Sequence, residues 1–406
     1  MGAGPNGSFA WNIDVVGYTD LGGKPGFKMA VHRSGERWYL YVAALWHPGL
    51  HVVEITDPAQ PRHVRFIDGP PNTWTLQVQV ADGLMITSLE RILPGWGGDP
   101  QGPFDEGFVI WSLQDPENPR RLGQFRTGGG GTHRNYYAGG RYVYATGLPE
   151  GCDGHILQIV DIDDPANPVE VSRWWRPGQW VAGGEGGVPF GTLLHGGAYV
   201  YGERAYLPYS AGGFVILDIA DKRRPKLVSD LPFSPPFQSF IAVHTAVPLT
   251  GRDLVVVNSE AIAENCDEPL GYAGIVDVAD ETRPRLISLF PLPKPPPGAS
   301  YANFCSKGGR FGPHNQHQWQ FQDVLLHDEK RVFLTYFNAG LRIYDISDAR
   351  LPTEIACFVP PDPEVRRGPL PETALVCQSE DVVVDARGNI FVTDKNLGVY
   401  VLRVAA

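Results

Sequence analysis

The segment IVDIDDPANP, residues 159–168, decides the fold because its pattern returns along the chain. Each copy has apolar residues, an Asp, three further residues and a Pro. Asp at the start of a turn can accept hydrogen bonds from backbone amides one or two residues on, and Pro presets φ. The pattern therefore predicts a repeated β-turn between two strands. The other copies are VVEITDPAQP (52–61), WSLQDPENP (111–119), ILDIADKRRP (216–225), IVDVADETRP (275–284) and IYDISDARLP (343–352).

The sequence of each repeat predicts further strands before and after this turn. A short apolar segment follows each Pro, and a hairpin precedes the pattern, as in GERAYLPYSAGGFVILDI, residues 202–219. One more strand precedes that hairpin, so each unit holds four antiparallel strands, which is typical of the blades of a β-propeller. We predict one all-β domain over residues 1–406, with units ending near 61, 119, 168, 225, 284 and 352 and a last unit at 378–404.

The last unit lacks a fourth strand, and the N-terminus offers a spare one. Pairing residues 12–20 with residues 399–404 would complete the last blade. A closed ring removes the exposed edges that an open sheet would have to protect. We therefore predict a seven-bladed β-propeller of four-stranded antiparallel blades, closed by the N-terminal strand.

Composition limits the possible partners. The chain of 406 residues has 48 Gly and 37 Pro, which exclude long helices. Its net charge of −11 argues against nucleic acids and anionic membranes as partners, and no apolar run is long enough to span a membrane. The first residues do not resemble a signal peptide. We expect a cytoplasmic protein if the chain is complete, and an exported one if a signal peptide has been removed.

The five cysteines fit no metal-binding or redox spacing. We expect them to be small buried thiols. The alternative is one or two bridges, either Cys266 with Cys305 or Cys357 with Cys377.

The repeats resemble those of the LVIVD-repeat proteins, a family of seven-bladed β-propellers. The resemblance covers nearly the whole chain, and FGPHNQH (311–317) with TYFNAGLRIYDISD (335–348) is similar to a stretch found in part of that family. It implies the fold, and it implies no single reaction.

Histidines recur where the first strand of a blade begins, at the mouth of the channel of a propeller. Several imidazoles and a carboxylate converging there would suit Fe, Mn, Zn or Cu. We therefore predict a divalent transition metal as cofactor. The candidate ligands are His133, His195, His244, His314 and His317, with Glu380 at the equivalent position of the last unit. The other histidines, His32, His47, His51, His63, His155 and His327, are expected in solvated or turn positions.

Further candidates belong to the same face. Glu260 follows a second strand and could act with Glu380 as a general base or proton carrier. Arg134 and Arg310 flank the histidines and could bind a substrate carboxylate. The long loops 91–107 and 291–317 carry Trp96, Phe104, Tyr301, Phe304 and Phe311, which would cover the channel or pack on the face of the propeller.

These features favour a metal-dependent enzyme acting on a small, partly apolar or aromatic substrate that bears an oxygen. Lyase, hydrolase and isomerase activities are preferred to oxygenase activity. The ligand set is similar to that of carotenoid-cleaving oxygenases, which hold iron with four histidines on a seven-bladed propeller, and loosely to that of oligogalacturonate lyases, although the motifs of neither family are present. The alternatives are a non-catalytic scaffold or binding propeller, and a metal-free lyase or isomerase that uses His133 or His195 with a Tyr as base and acid.

Overall fold

The computed structural model describes residues 2–3, 7–233 and 239–405 and is almost entirely antiparallel β-sheet. Its single α-helix within these ranges is α1 (Phe304–Lys307). Among the described residues, no helix has both the length and the apolar character needed to cross a membrane.

The strands follow one another at short intervals. The first three are β1 (Gly2–Ala3), β2 (Phe9–Trp11) and β3 (Ile13–Thr19). Two repeats then supply β4 (Gly26–Ser34), β5 (Arg37–Ala44), β6 (Gly49–Glu54), β7 (Arg62–Asp68), β8 (Thr73–Trp74), β9 (Val78–Ala81), β10 (Leu84–Arg91), β11 (Gly107–Ser112) and β12 (Arg120–Phe125). Two more supply β13 (Gly129–Tyr136), β14 (Tyr142–Pro149), β15 (Ile156–Asp161), β16 (Val169–Trp174), β17 (Tyr199–Tyr201), β18 (Arg204–Pro208), β19 (Phe214–Asp218) and β20 (Lys226–Leu231). The remainder are β21 (Ile241–Leu249), β22 (Leu254–Glu260), β23 (Ala273–Asp277), β24 (Arg285–Leu289), β25 (Arg331–Thr335), β26 (Leu341–Asp345), β27 (Thr353–Val359), β28 (Ser379–Val384), β29 (Ile390–Asp394) and β30 (Val399–Val404).

Within the described residues, these strands form six hydrogen-bonded sheets. Four of them are four-stranded, and three of these are meanders, such as β4-β5-β6-β7 and β21-β22-β23-β24. The largest sheet holds two such units, joined where Glu90 of β10 pairs with Gly131 of β13. The predicted all-β propeller fold is confirmed, whereas the count of seven blades and the closed ring stay predictions.

The repeated Asp forms the predicted turn in every copy of the pattern. In the first copy, Asp57 accepts a hydrogen bond at Oδ1 from the amide of Ala59 at 3.0 Å. Asp115, Asp164, Asp221, Asp280 and Asp348 each accept the same bond from the amide two residues on. Such Asx-turns fix the chain direction between the third and fourth strands of a unit.

The N-terminal segment pairs with two sheets rather than one. β3 pairs with β30, with Ile13 opposite Val404 and Thr19 opposite Val399, as the sequence predicted. β2 pairs in turn with β27, where Trp11 lies opposite Cys357. The second pairing was not predicted. The segment therefore supplies the outer strand of the last unit and an outer strand of the unit before it.

Burial falls from the inner strands of each unit to the outer ones. All seven residues of β22 are buried, whereas those of the outer strand β7 are half-buried or exposed. Middle strands are covered on both faces because neighbouring sheets pack against them. Polar side chains that start or end the inner strands are therefore enclosed by the surrounding units.

The bonding state of the cysteines agrees only in part with the sequence prediction. Cys266 and Cys305 form a disulfide, so the expectation that all thiols are free was wrong for this pair, and the first alternative pairing is correct. Cys357 and Cys377 are buried free thiols, and the second alternative pairing was therefore wrong. The disulfide ties the loop after β22 to the loop that precedes His314.

Candidate functional site

Four of the predicted histidines lie side by side, each contributed by a different repeat unit. The ring centroids of His133 and His195 are 4.5 Å apart, those of His195 and His244 5.4 Å, and those of His244 and His314 4.7 Å. His133 belongs to β13 and His244 to β21, whereas His195 and His314 precede β17 and β25. The inner strands of successive units thus bring the rings into one row.

Glu260 lies at the end of β22 and points its carboxylate at this row. Its Oε2 is 3.1 Å from Nε2 of His195 and 3.4 Å from Nε2 of His244. Its Oε1 is 3.7 Å from Nε2 of His314. We call His133, His195, His244, His314 and Glu260 the central cluster.

Three members of the central cluster lie close enough together that they could hold a metal ion. One donor atom each from His195, His244 and Glu260 all lie within 4.8 Å of one another. A single cation placed among them would be within reach of all three after small adjustments, since metal–ligand bonds are roughly 2 Å.

The hydrogen bonds of His244 leave one nitrogen free for a ligand. Thr245 donates its hydroxyl to the carbonyl of His314 at 3.3 Å, so it accepts a hydrogen bond from Nδ1 of His244 at 2.7 Å. Nε2 of His244 therefore carries the lone pair, and it has no hydrogen-bond partner in the described part of the chain although it is buried. A bare lone pair facing a carboxylate is unfavourable unless a cation or a proton lies between them.

The ring of His314 is also oriented by a hydrogen bond from its Nδ1. Its Nδ1 donates to the backbone carbonyl of Glu380 at 2.8 Å, which directs Nε2 toward Glu260. The ring stacks on Phe337 with a centroid distance of 4.7 Å. An outer nitrogen that donates to a fixed acceptor is the usual arrangement of histidines that bind metals.

Burial keeps these imidazoles neutral, which is the form that binds a metal. Burial and, next in importance, the nearby His133 together lower the pKa of His195 to about 4, although Glu260 partly offsets them. Burial also holds the pKa values of His244 and His314 well below the usual range. His195, His244 and His314 therefore present lone pairs rather than positive charge at neutral pH.

Glu380 lies behind His314. Its Oε2 is 3.2 Å from Nδ1 of His314, and its Oε1 forms a buried ion pair with Lys395. Burial raises the pKa of Glu380, and Lys395 partly offsets this. The carboxyl group is thus placed on the outer side of His314, away from Glu260.

The two predicted arginines are buried inside the site. Nη1 of Arg310 lies 3.3 Å from Oε1 of Glu260. Arg134 donates from Nη1 to Oδ1 of Asn315 at 2.7 Å, and its Nη2 is 3.4 Å from Nε2 of His314. Arg310 is therefore already paired with Glu260, and Arg134 is oriented by the segment that carries His314.

His317 does not join the central cluster, and its predicted place in the ligand sphere was wrong. Its Nε2 donates to the carbonyl of Leu326 at 2.8 Å, and its Nδ1 accepts from the amide of Val384 at 3.1 Å. Both nitrogens are thus used by the backbone. Residues three apart in an extended segment point to opposite faces, so His314 and His317 cannot both face the cluster.

His155 was expected in a solvated or turn position but lies beside the central cluster. Its ring is 5.8 Å from that of His133, and its Nε2 is 2.7 Å from Oε1 of Glu90. Oε2 of the same Glu90 is 2.6 Å from Nδ1 of His133. A signal for this placement was present, because His155 lies in the loop between β14 and β15, on the face where the sequence placed Glu260.

The loop 91–107 covers the site through one aromatic ring. The ring of Trp96 lies 5.0 Å from the guanidinium of Arg310 and 4.9 Å from the ammonium of Lys395, and it stacks on Trp46. The loop 291–317 behaves differently, because Phe304 and Phe311 are buried and stack on each other. That loop delivers Arg310 and His314 to the site, and these two rings pack in the core.

Comparison with known proteins identifies the repeats. The LVIVD repeat matches residues 31–66, 152–174 and 198–231, and no curated protein sequence matches the chain. The hypothetical selenium-binding protein ST0059 from Sulfolobus tokodaii is similar in structure, with a TM-score of 0.57 at 13% identity over 94% of this chain and 93% of that one.

Two further solved structures share the architecture. The N-terminal domain of Nup159 has a TM-score of 0.54 at 10% identity over 96% of this chain and 95% of that one. The computationally designed Ika8 protein has a TM-score of 0.51 at 9% identity over 96% and 99%. Likeness at these identities concerns the fold alone. The chain therefore carries LVIVD repeats in a β-propeller fold.

Proposed function

We propose that His195, His244 and Glu260 bind a divalent transition metal and that the protein is a metal-dependent enzyme. The observation that carries this proposal is the buried lone pair of His244 Nε2, which faces the Glu260 carboxylate 3.4 Å away with no hydrogen between them. Imidazole nitrogens and a carboxylate suit Zn, Fe, Mn or Cu, and two His with one Glu is a ligand set of catalytic zinc sites.

The site also has an open side, which distinguishes a catalytic metal from a structural one. The side chains of His133 and His195 are 12% and 17% exposed, whereas that of His244 is fully buried. A substrate would therefore approach from the side of His133 and His195. Trp74 and Trp96 line that side, which favours a small substrate with an apolar or aromatic part.

A bound divalent metal would polarise a substrate oxygen or activate a water molecule. The residues of the chain would supply the rest of the chemistry. Arg310 lies 3.3 Å from Oε1 of Glu260 and helps to orient the carboxylate, and Trp96 limits access of bulk water. Glu380, paired with Lys395, lies against Nδ1 of His314 and helps to hold that ring with its Nε2 toward Glu260. These features favour lyase, hydrolase or isomerase chemistry over oxygenase chemistry.

The first test is metal content. Wild-type protein loaded with Zn²⁺ and exhaustively desalted should retain metal, and His195→Ala and His244→Ala should each lose one equivalent while keeping the β-sheet circular dichroism spectrum. His327→Ala is the matched control because its side chain is 46% exposed and lies outside the central cluster. Elemental analysis of the four proteins measures the result. Folded wild-type protein that retains no Zn²⁺, Fe²⁺, Mn²⁺ or Cu²⁺ would contradict the proposed metal site. That result would favour a binding or scaffold function instead.

The second test concerns catalysis. A panel of small aromatic esters, hydroxy acids and enols should yield at least one compound that the loaded wild-type and His327→Ala proteins convert. The metal-stripped protein and His244→Ala should convert it at least 100-fold more slowly, because loss of a Lewis acid costs several kcal/mol of barrier stabilisation. Equal turnover with and without metal would favour the metal-free acid–base mechanism.

A further inference from the structure

One connection between strands is far longer than its counterparts in the other units. The segment 314–317 takes the place of a first strand, since the amide of His317 donates to the carbonyl of Phe333 in β25 at 3.0 Å. In the other units the turn after the first strand spans two to five residues, as at 250–253. Here the connection to β25 runs from 318 to 330. Loops of this length are uncommon without a role of their own.

The first part of this connection contacts three units other than its own. The amide of Gln320 donates to the hydroxyl of Tyr199 in β17 at 3.0 Å, and its side-chain amide donates to Oε1 of Gln79 in β9. Gln322 donates from Nε2 to the carbonyl of Ala138, in the turn between β13 and β14, at 3.0 Å. Each partner belongs to the first strand of its unit or to the turn after it. The segment therefore crosses the axis around which these strands are arranged.

The contacted positions lie at the end of the inner strands that is opposite the central cluster. His244 lies near the start of β21 and Glu260 at the end of β22, so the turn 250–253 between these strands is at the other end. Tyr199 and Ala138 lie beside or within the equivalent turns of their own units. The segment therefore covers the opening of the channel that is remote from the central cluster.

The packing of this segment indicates a fixed covering. Gln320 is only 8% exposed, and the ring of Phe321 stacks on that of Tyr201 with a centroid distance of 5.4 Å. The φ angles of Gln320 and Phe321 are 53° and 57°, in the left-handed region that residues other than Gly rarely adopt. Two such residues in sequence are strained, and strain of this kind persists only where the surrounding contacts hold it in place.

We infer that residues 318–322 form a plug that closes the channel at the end remote from the central cluster. The central cluster is then reached only from the side where His133 and His195 are partly exposed and which Trp96 covers. Closure does not rest on the proposed function, because polar and aromatic contacts of the chain make it without a metal. For the proposed enzyme, it means that substrate and product share one route, which the loop 91–107 controls.

Amide hydrogen exchange of the full-length protein tests whether the plug is fixed. The Gln320 amide lies in a loop, yet its bond to the Tyr199 hydroxyl should make it exchange about 100-fold more slowly than an unprotected amide. Tyr199→Phe removes this acceptor and keeps the ring, so it should raise the exchange rate of Gln320 about 10-fold. Tyr18→Phe is the matched control, because it removes a hydroxyl that accepts from the Gly398 amide at 3.1 Å elsewhere in the fold. Exchange of Gln320 at the unprotected rate in wild type would overturn the plug.

Chemical modification tests whether the plug closes the channel. Diethyl pyrocarbonate acylates an unprotonated imidazole nitrogen such as Nε2 of His244, and peptide mass spectrometry measures the rate after any bound metal has been removed with a chelator. The triple variant Gln320→Ala/Phe321→Ala/Gln322→Ala removes the contacts of the plug, and its His244 should react about 10-fold faster than in wild type. Leu351→Ala should react like wild type, because Leu351 is 71% exposed and lies in an outer turn.

Equal His244 rates in wild type and the folded triple variant would overturn the closure. If circular dichroism shows that the triple variant is unfolded, the exchange rate of Gln320 in wild type and in Tyr199→Phe still decides whether the plug exists. Both readouts work without a metal. A metal-free protein with a slowly exchanging Gln320 amide would therefore overturn the proposed function and leave the plug.

Discussion

Deleting residues 1–20 should lower the free energy of unfolding by several kcal/mol. The deletion removes β3, which pairs with β30 along its length, and β2, which pairs with β27. It also uncovers apolar surface, because Ile13 is buried in the core shared by the last two units. Several kcal/mol is a large part of the roughly 5–15 kcal/mol that stabilises a typical domain. Urea denaturation of the truncated and full-length proteins measures the loss.

A shorter truncation is the control. Deleting residues 1–7 removes β1 but keeps β2 and β3, so it should change the unfolding free energy by less than about 1 kcal/mol. The longer truncation should also aggregate more readily, since β27 and β30 become exposed edges. If the two truncated proteins melt at the same temperature as the full chain, the N-terminal strands do not stabilise the last two units.

The turns and strands could be predicted because they depend on local chemistry. The Asp of each repeat accepts a hydrogen bond from the amide two residues away, so the sequence pattern alone predicts the turn. The alternation of apolar and polar residues then predicts the strands on either side of it. The row of His133, His195 and His244 could be predicted for a related reason. Once the strands are in register, equivalent positions of successive units must point to the same place.

The positions of the other histidines near the site could not be predicted from the alignment of the repeats. His155 comes from a loop, and its approach to Glu90 is set by how far the loop folds back over the inner strands. His314 and His317 belong to an irregular segment in place of a regular inner strand, so their register could not be read from the repeat. The two residues part because both ring nitrogens of His317 are bonded to the backbone of Leu326 and Val384.

The histidines do not continue into the first and last units, where buried ion pairs take their place. Lys28 lies on the inner strand β4 and pairs with Asp381 of β28 at 2.6 Å. Glu380, the neighbouring residue of β28, pairs with Lys395. The sequence placed Glu380 at a position equivalent to the histidines, and the structure pairs it, like Lys28, with an opposite charge. The Lys28–Asp381 pair joins the first unit to the last, whereas the Glu380–Lys395 pair lies within the last unit.

Breaking the Lys28–Asp381 pair should cost about 3–5 kcal/mol of stability, because it leaves one buried charge without a partner. The side chains are 8% and 0% exposed, and Asp381 also accepts a hydrogen bond from the amide of Met29 at 2.9 Å. Burial lowers the pKa of Lys28, and Asp381 works against that by favouring the charged ammonium. We expect Lys28→Met and Asp381→Asn each to show this loss in urea denaturation at neutral pH.

The double variant Lys28→Met/Asp381→Asn should lose less than the sum of the two single changes, since it leaves no charge behind. Arg285→Met provides a matched control, because Arg285 forms an ion pair with Asp277 at 2.7 Å but its side chain is 72% exposed. An exposed pair contributes about 0–1 kcal/mol, so this variant should be close to wild type. Equal losses in Lys28→Met and Arg285→Met would show that the buried pair does not hold the first and last units together. Strictly additive losses in the double variant would show that the two charges do not compensate each other.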